Sequence, residues 1–384
     1  MSEIVLHSDV LNAAIDGKSP HFEQALYAME DSRHDPSELF AVSSNIRNTY
    51  KGNLVTFSNK VFINMTNLCR DTCTYCTYKR EPDSTPAFME PKMVRHMMRL
   101  GKKYGCTEAL LVAGERPEEK YNVARRWLKD NGFSNTPDYA AFCSQIALEE
   151  GLYAHTNVGN LEYKEMLALK DTNPSIGLML ENSSPRLAEK NMPHHLAQSK
   201  NPNVRIDVIK NAGRAKIPTT TGILVGIGES EEETTRSLEV IRTLHKQYGH
   251  IQEVIVQNFV PKPQTIMGDN PAPDNTYFAR TVALARIMMP EMNIQIPPNL
   301  SPDIFGDFLR VGVNDWGGIS PVTPDYVNPE MPWPSIEKVK KITADAGFIL
   351  KCRFATYPEF LKMIPEVLRV KIYAMADECG HVRR

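Results

Sequence analysis

The residues best suited to chemistry stand in TNLCRDTCTYC (66–76), where Cys69, Cys73 and Cys76 are spaced C-x3-C-x2-C. Thiolates at such spacing are ligands for a soft metal centre. A structural zinc site closes with four ligands. The stretch 66–90 holds neither a histidine nor a fourth cysteine, so zinc needs a distant partner. A cubane iron–sulfur cluster has four irons held by thiolates. Three cysteines fit it better and leave one iron open to something else. The other cysteines, Cys106, Cys143, Cys352 and Cys379, are scattered and read as core or incidental residues. This pattern is no disulfide framework, and in a reducing compartment it points to a metal site.

Something must hold that loop. The chain has 384 residues, and short apolar runs alternate with amphipathic stretches. Strands are expected at 61–66, 108–114, 152–158, 175–181, 218–226, 253–259 and 293–298, with a weaker eighth near 308–315. Helical patterns lie between them. The one at 231–249 opens on glutamates and closes on Gly249, as helix ends do. Such alternation predicts a parallel sheet with helical crossovers. Seven or eight units fit an α/β fold of the (β/α) TIM-barrel type, in which function sits at the C-terminal strand ends. The polar residues do gather there: Asn67 and Cys69; Gly114 and Glu115; His155 and Asn157; Glu181; Gly226 and Glu229; Asn258; Asn299; Asn314 and Asp315.

The expected organisation is a helical N-terminal extension (1–58), a barrel (59–319), and a C-terminal loop with helices packed on the barrel (320–384). In the extension Leu11, Ala14, Ile15, Phe22, Leu26 and Met29 have the spacing of packed helix faces. The proline-rich segments 260–273 and 320–334 lack periodicity and read as ordered loops over the barrel mouth; a surface linker is nearly as good a reading. With 44 basic and 46 acidic residues the net charge is −2, which gives no general attraction to nucleic acid. No apolar run approaches a membrane span. MSEIVLHSDV has no signal-peptide pattern, so a cytoplasmic location is expected.

The cysteine spacing, with Tyr75 before the last cysteine, resembles the signature of radical S-adenosylmethionine (SAM) enzymes. The resemblance implies a [4Fe-4S] cluster on Cys69, Cys73 and Cys76. It also implies S-adenosyl-L-methionine chelated at the open iron and a reducing electron donor. Further stretches resemble that family's cofactor clamp. AGE (113–115) stands where the family has GGE, with Ala113 the departure. Glu181 takes the place of a ribose-binding polar residue. Arg205 corresponds to an arginine for the cofactor carboxylate, and GILVGIGE (222–229) to the segment lining adenine and ribose. The implied cofactor residues are Tyr75, Gly114, Glu115, Glu181, Arg205, Gly222 and Gly226. Plainer readings stand beside these: Glu181 as a helix cap, Arg205 as a surface ion-pair partner, Gly222 and Gly226 as allowances for close strand packing. The glycines at 222, 226 and 228 lack the dinucleotide order G-x-G-x-x-G.

Segments 66–80, 249–262, 294–300 and 312–334 resemble the 7,8-didemethyl-8-hydroxy-5-deazariboflavin synthase family, in its ring-closing subunit. That implies a substrate made by a partner radical SAM subunit from tyrosine and a ribityl-diaminouracil, with ring closure and loss of ammonia. From position at strand ends, Asn157, Asn258, Asn299 and Asn314 are candidate substrate contacts, Trp316 a stacking face, and Asp315 and His155 proton acceptors. Two alternatives stay open. One is another radical enzyme of similar build, either the tyrosine-using partner or a menaquinone-pathway relative. The other is a non-enzymatic zinc scaffold.

Overall fold

The computed structural model describes residues 7–383. Residues 1–6 of the stretch read above for a signal peptide, and Arg384, lie outside them. Strands β1 (Leu54–Thr66), β2 (Glu108–Ala113), β3 (Tyr153–Asn157), β4 (Ser175–Gly177), β5 (Thr219–Val225), β6 (Ile251–Asn258), β7 (Ile294–Gln295) and β8 (Asp315–Ile319) pair in chain order, all parallel. The barrel closes because β1 pairs with both β8 and β2.

Three elements differ from the sequence expectation. β1 begins at Leu54, inside the stretch expected to be helical, because Val55 and Phe57 continue its apolar alternation. The eighth strand starts only at Asp315, since 305–311 coil into a 3-10 helix before Gly312 turns at φ 118°. A ninth strand, β9 (Ile349–Arg353), was not expected, being short and partly exposed. It pairs with residues 54–58 of β1, on the side that β2 takes higher up. β9 therefore extends the wall beneath β2 and delivers Arg353 to the barrel base.

Alternation along each strand divides the structure. One set of side chains (Ile223, Val225, Val254, Val256) joins Leu238, Ile241, Phe278 and Val282 of the helices Glu231–Tyr248 and Asn275–Met288 in the main core. The other set points inward. Helix Glu231–Tyr248 is fixed at both ends. Ser230 and Glu233 form a reciprocal capping box, and Gly249 closes it at φ 65°. The N-terminal helices His7–Ile15 and Ser37–Lys51 bury Leu11, Ala14, Leu39 and Ile46 against Ala283 and Ile287, while helix Phe22–Asp31 adds Ala25 and Met29 to the main core. Ile15 is exposed, and Leu26 only partly covered. No helix among the described residues is long and apolar enough to cross a membrane.

Candidate active site

A cavity of about 350 Å³ runs down the barrel interior from the cysteine loop to the base. The loop is pinned along its length by backbone bonds: Arg70 N–H to Glu115 O (2.9 Å), Thr72 N–H to Leu196 O (2.8 Å), Thr74 N–H to Pro193 O (3.1 Å) and Met267 N–H to Thr74 O (3.1 Å). Gly114 is required here, since a Cβ would lie 2.1 Å from Leu68 O and 2.7 Å from Cys69 Cβ. That closeness lets the Glu115 N–H donate to Cys69 Sγ at 3.2 Å.

All three cysteines line the cavity as free thiols. Burial pushes Cys69 up to about 11 and Cys73 higher, despite the backbone N–H groups at Cys69 and the ammonium of Lys200 near Cys73. Thiolates at neutral pH therefore need a bound cation to displace the protons. Among the described residues no three His, Cys, Asp or Glu side chains converge as on a single ion. Three cysteines on one cavity wall, with no histidine or carboxylate converging on them among the described residues, suit a cluster held by thiolates.

Tyr75, Glu115, Glu181 and Arg205 share the cavity wall with the cysteines. Glu181 ends the β4 segment at φ 65°, a conformation a non-glycine residue holds only when its surroundings impose it. Burial would raise its carboxyl, but Lys200, ion-paired to it, and Arg205 hold it below the usual range. The next 3-10 helix is capped by Ser184, so Glu181 is not that cap. Arg205 is buried rather than on the surface. Its Nε and Nη1 donate to Ser199 O and Met179 O, both at 2.9 Å, and Nη2 has no protein acceptor among the described residues. Burial raises Glu115 against the pull of Arg205. Tyr75 Oη meets His194 Nε2 at 3.0 Å. Gly222 and Gly226 are absent from the wall: a Cβ on Gly222 would meet Ile255 O at 2.1 Å, and Gly226 turns at φ 96° against Pro273. Close packing accounts for both.

His155 and Asn157 face the cavity from β3. Ser175 Oγ donates to Ala355 O at 2.6 Å, which uses its only proton. The 2.7 Å contact between Ser175 Oγ and His155 Nδ1 must then carry the histidine's proton. Nε2 is left as an acceptor. Burial lowers His155 to about 4, with Glu108 pulling it back up and Lys60 and Arg353 pushing it down, so the ring is neutral.

Of the remaining candidates Trp316 alone lines the cavity. Asp315 is fully buried off the wall, ion-paired to Arg353 (Nε to Oδ2, 2.7 Å) and accepting from Thr56 and from Gly317 N–H. Asn314 is committed to Arg286, Ile294 and Asn293. Asn258 donates to Leu300 O, and Asn299 to Asp325 and Met331 O. Trp316 does reach the cavity wall, but its indole bonds Thr343 and its fully buried ring packs edge-on to Phe305 in the main core. Alternation explains these outcomes: counting residues to a strand end does not say which way each side chain faces.

Several wall residues escaped sequence reading. Lys60, Glu108, Glu253 and Arg353 form a charged base, with Lys60–Glu108 at 2.9 Å and Arg353–Glu253 at 2.7 Å. Burial alone would raise Glu108, but Lys60, His155 and Arg353 bring it to about 2; burial raises Glu253. A TIM barrel interior is dominated by Val, Ile and Leu. A Lys or Glu at an inward position was therefore the available signal. Gln257 and Gln295 also face in, and Trp333 stacks on Phe62 at 5.3 Å. The loop 320–334 supplies Asp325, Val327 and Asn328 to the wall, and Lys262 Nζ ties segment 260–273 to it through Val327 O at 2.6 Å.

Residues 63–241 match the Radical SAM superfamily. The chain is 46% identical over 311 residues to 7,8-didemethyl-8-hydroxy-5-deazariboflavin synthase of Methanopyrus kandleri, covering 80% of this chain and 93% of that one. It is 44% identical over 307 residues to the synthase of the same name from Methanothermobacter thermautotrophicus, with the same coverage. To FO synthase of Mycobacterium tuberculosis it is 40% identical over 398 residues; this covers 98% of the chain but 46% of that longer protein. Among solved structures, the FeFe-hydrogenase maturase HydG from Carboxydothermus hydrogenoformans superposes with a TM-score of 0.73 at 20% identity, covering 95% of this chain and 87% of that one. Methylornithine synthase (PylB) gives 0.69 at 19%, covering 89% and 97%. At such identities these two show the fold alone.

Proposed function

The chain belongs to the 7,8-didemethyl-8-hydroxy-5-deazariboflavin synthase family of the radical SAM superfamily, and from that premise we propose that it closes the deazaflavin ring. The substrate is 5-amino-5-(4-hydroxybenzyl)-6-(D-ribitylimino)-5,6-dihydrouracil. With S-adenosylmethionine it yields the deazariboflavin, 5′-deoxyadenosine, methionine and ammonia. The observation that carries the reading is the single cavity that joins three cysteines at one end to a polar base at the other.

Cys69, Cys73 and Cys76 would hold a [4Fe-4S] cluster, and Glu115, Glu181 and Arg205 the S-adenosylmethionine. Bound there, the pair supplies removal of one hydrogen atom from the substrate. The chain's own groups do the rest. The Arg205 Nη2 proton is free for a carboxylate. Glu181, kept anionic by Lys200, accepts from hydroxyls. His155 Nε2 is an unprotonated acceptor that faces the cavity, placed to take a proton released during ring closure as charge builds on the substrate beside it. Asn157 contacts the substrate beside it. Loop 320–334 covers the mouth and keeps water from a reactive carbon centre. The adduct is supplied by a separate radical SAM enzyme, and the electron by a reducing protein in a reducing, cytoplasmic setting.

The test is anaerobic incubation of reduced protein with S-adenosylmethionine and the adduct. Fluorescent deazaflavin, 5′-deoxyadenosine, methionine and ammonia should appear together. Direct consumption of tyrosine with the diaminouracil would make the chain the partner enzyme instead.

A further inference from the structure

β8 is irregular where it meets β1. Thr56 pairs with Asp315 and Ser58 with Gly318, so Trp316 and Gly317 together oppose Phe57. This is a β-bulge, a device that redirects side chains beside active sites. Gly317 sits at φ +67°, and a Cβ there would lie 2.3 Å from Gln295 Nε2. A Cβ on the next residue, Gly318, would lie 1.9 Å from Lys60 Cε. The bulge and its two glycines thus make room for two inward-pointing polar side chains.

Gln295 is only 6% exposed and lines the cavity, yet its amide has no hydrogen bond to any described residue. Three nearby amides off the cavity wall are engaged: Gln252 donates to Ala355 O at 3.0 Å, Asn293 to Gln252 O at 2.9 Å, and Asn314 to Asn293 at 3.0 Å. A carboxamide that opens onto a cavity with no protein partner is left for a ligand or water to complete. Lys60 carries three protons and has one carboxylate partner, Glu108.

Resting on the ring-closing reading above, we propose that Gln295, with Lys60 beside it, recognises the imide edge of the substrate's pyrimidinedione. A carboxamide presents N–H and C=O side by side in one plane, the complement of an imide N–H next to a carbonyl. The ammonium serves the second carbonyl. A polyol chain offers no such coplanar pair, so the ribityl group is the poorer match.

The probes are 5-amino-6-(ribitylamino)uracil and its N3-methyl derivative, titrated calorimetrically into anaerobic holoenzyme. N3-methylation should weaken binding to the native protein about tenfold, as for loss of paired neutral hydrogen bonds. Gln295→Met should weaken the parent compound by about the same factor and remove the N3-methyl penalty. Its thermal midpoint and S-adenosylmethionine affinity should stay unchanged. Equal binding of both probes by native protein overturns the assignment without recourse to any variant. So does a Gln295→Met protein that binds both more weakly but keeps the penalty, which would mark a polyol contact. If native protein turns the adduct into deazaflavin but ignores N3-methylation, only Gln295 is misassigned. If it neither binds these probes nor makes deazaflavin, the ring-closing reading falls too.

Discussion

Replacing Asp315 by alanine separates a structural carboxylate from a proton acceptor. Asp315 gives Arg353 two contacts, Nε–Oδ2 at 2.7 Å and Nη2–Oδ1 at 3.1 Å, inside a fully buried site. Removing one member of a buried ion pair costs about 3–5 kcal/mol, because the other charge stays behind. Arg353 keeps Glu253 at 2.7 Å, so the lower end applies, about 3 kcal/mol. With an unfolding entropy of about 2.1 cal/mol/K per residue, a chain this long should lose about 4 °C of thermal midpoint. Calorimetry measures that loss, and turnover per folded molecule should fall far less. A general base contributes about 10²–10⁴-fold to rate. An Asp315→Ala protein with an unchanged midpoint and turnover down by such a factor would refute the structural assignment.

Alanine at Cys69, Cys73 or Cys76 should abolish both activity and the roughly four irons of one cubane, while Cys106→Ala keeps both, as iron and sulfide assays would show. Arg205→Ala should weaken S-adenosylmethionine binding by about 1.5–3 kcal/mol, read by equilibrium binding, with the cluster intact. Burial holds His155 and His250 at about 4, below the ordinary histidine value. Between about pH 6.5 and 4 the unfolded chain binds protons that the folded one refuses, so stability should fall as pH drops through that window. His155→Gln should reduce the slope by one proton in urea titrations at several pH values. Hydrogen exchange across 312–334 should slow only when cofactor and substrate are both bound; no change would make the segment a passive linker.

The second to seventh strands were legible because each is a short apolar run bounded by turns. β8 was misplaced because the apolar letters FLRV end a 3-10 helix, and its true strand carries two glycines at a bulge. β9 was missed because Ile349 and Lys351 face solvent. In the site, spacing revealed the cysteines and likeness to known clamps pointed to Glu115, Glu181 and Arg205. Asn258, Asn299, Asn314 and Asp315 looked equivalent to His155 and Asn157 in sequence. Only the facing of each side chain separates them, and a bulge or a 3-10 turn shifts that by one residue. The charged base was hidden for another reason. Arg353 meets Asp315 and Glu253 from 38 and 100 residues away, and no local pattern records such pairings.

The position of Arg353 also bears on biosynthesis. A ribosome adds this residue after all eight strands of the closed barrel, so until then Asp315 and Glu253 share the interior with no arginine to neutralise them. The base thus takes its last charge from a segment outside the eight barrel strands. Neutralising the base is thereby tied to docking of the strand that follows the barrel, since Arg353 is the group that pairs with both carboxylates.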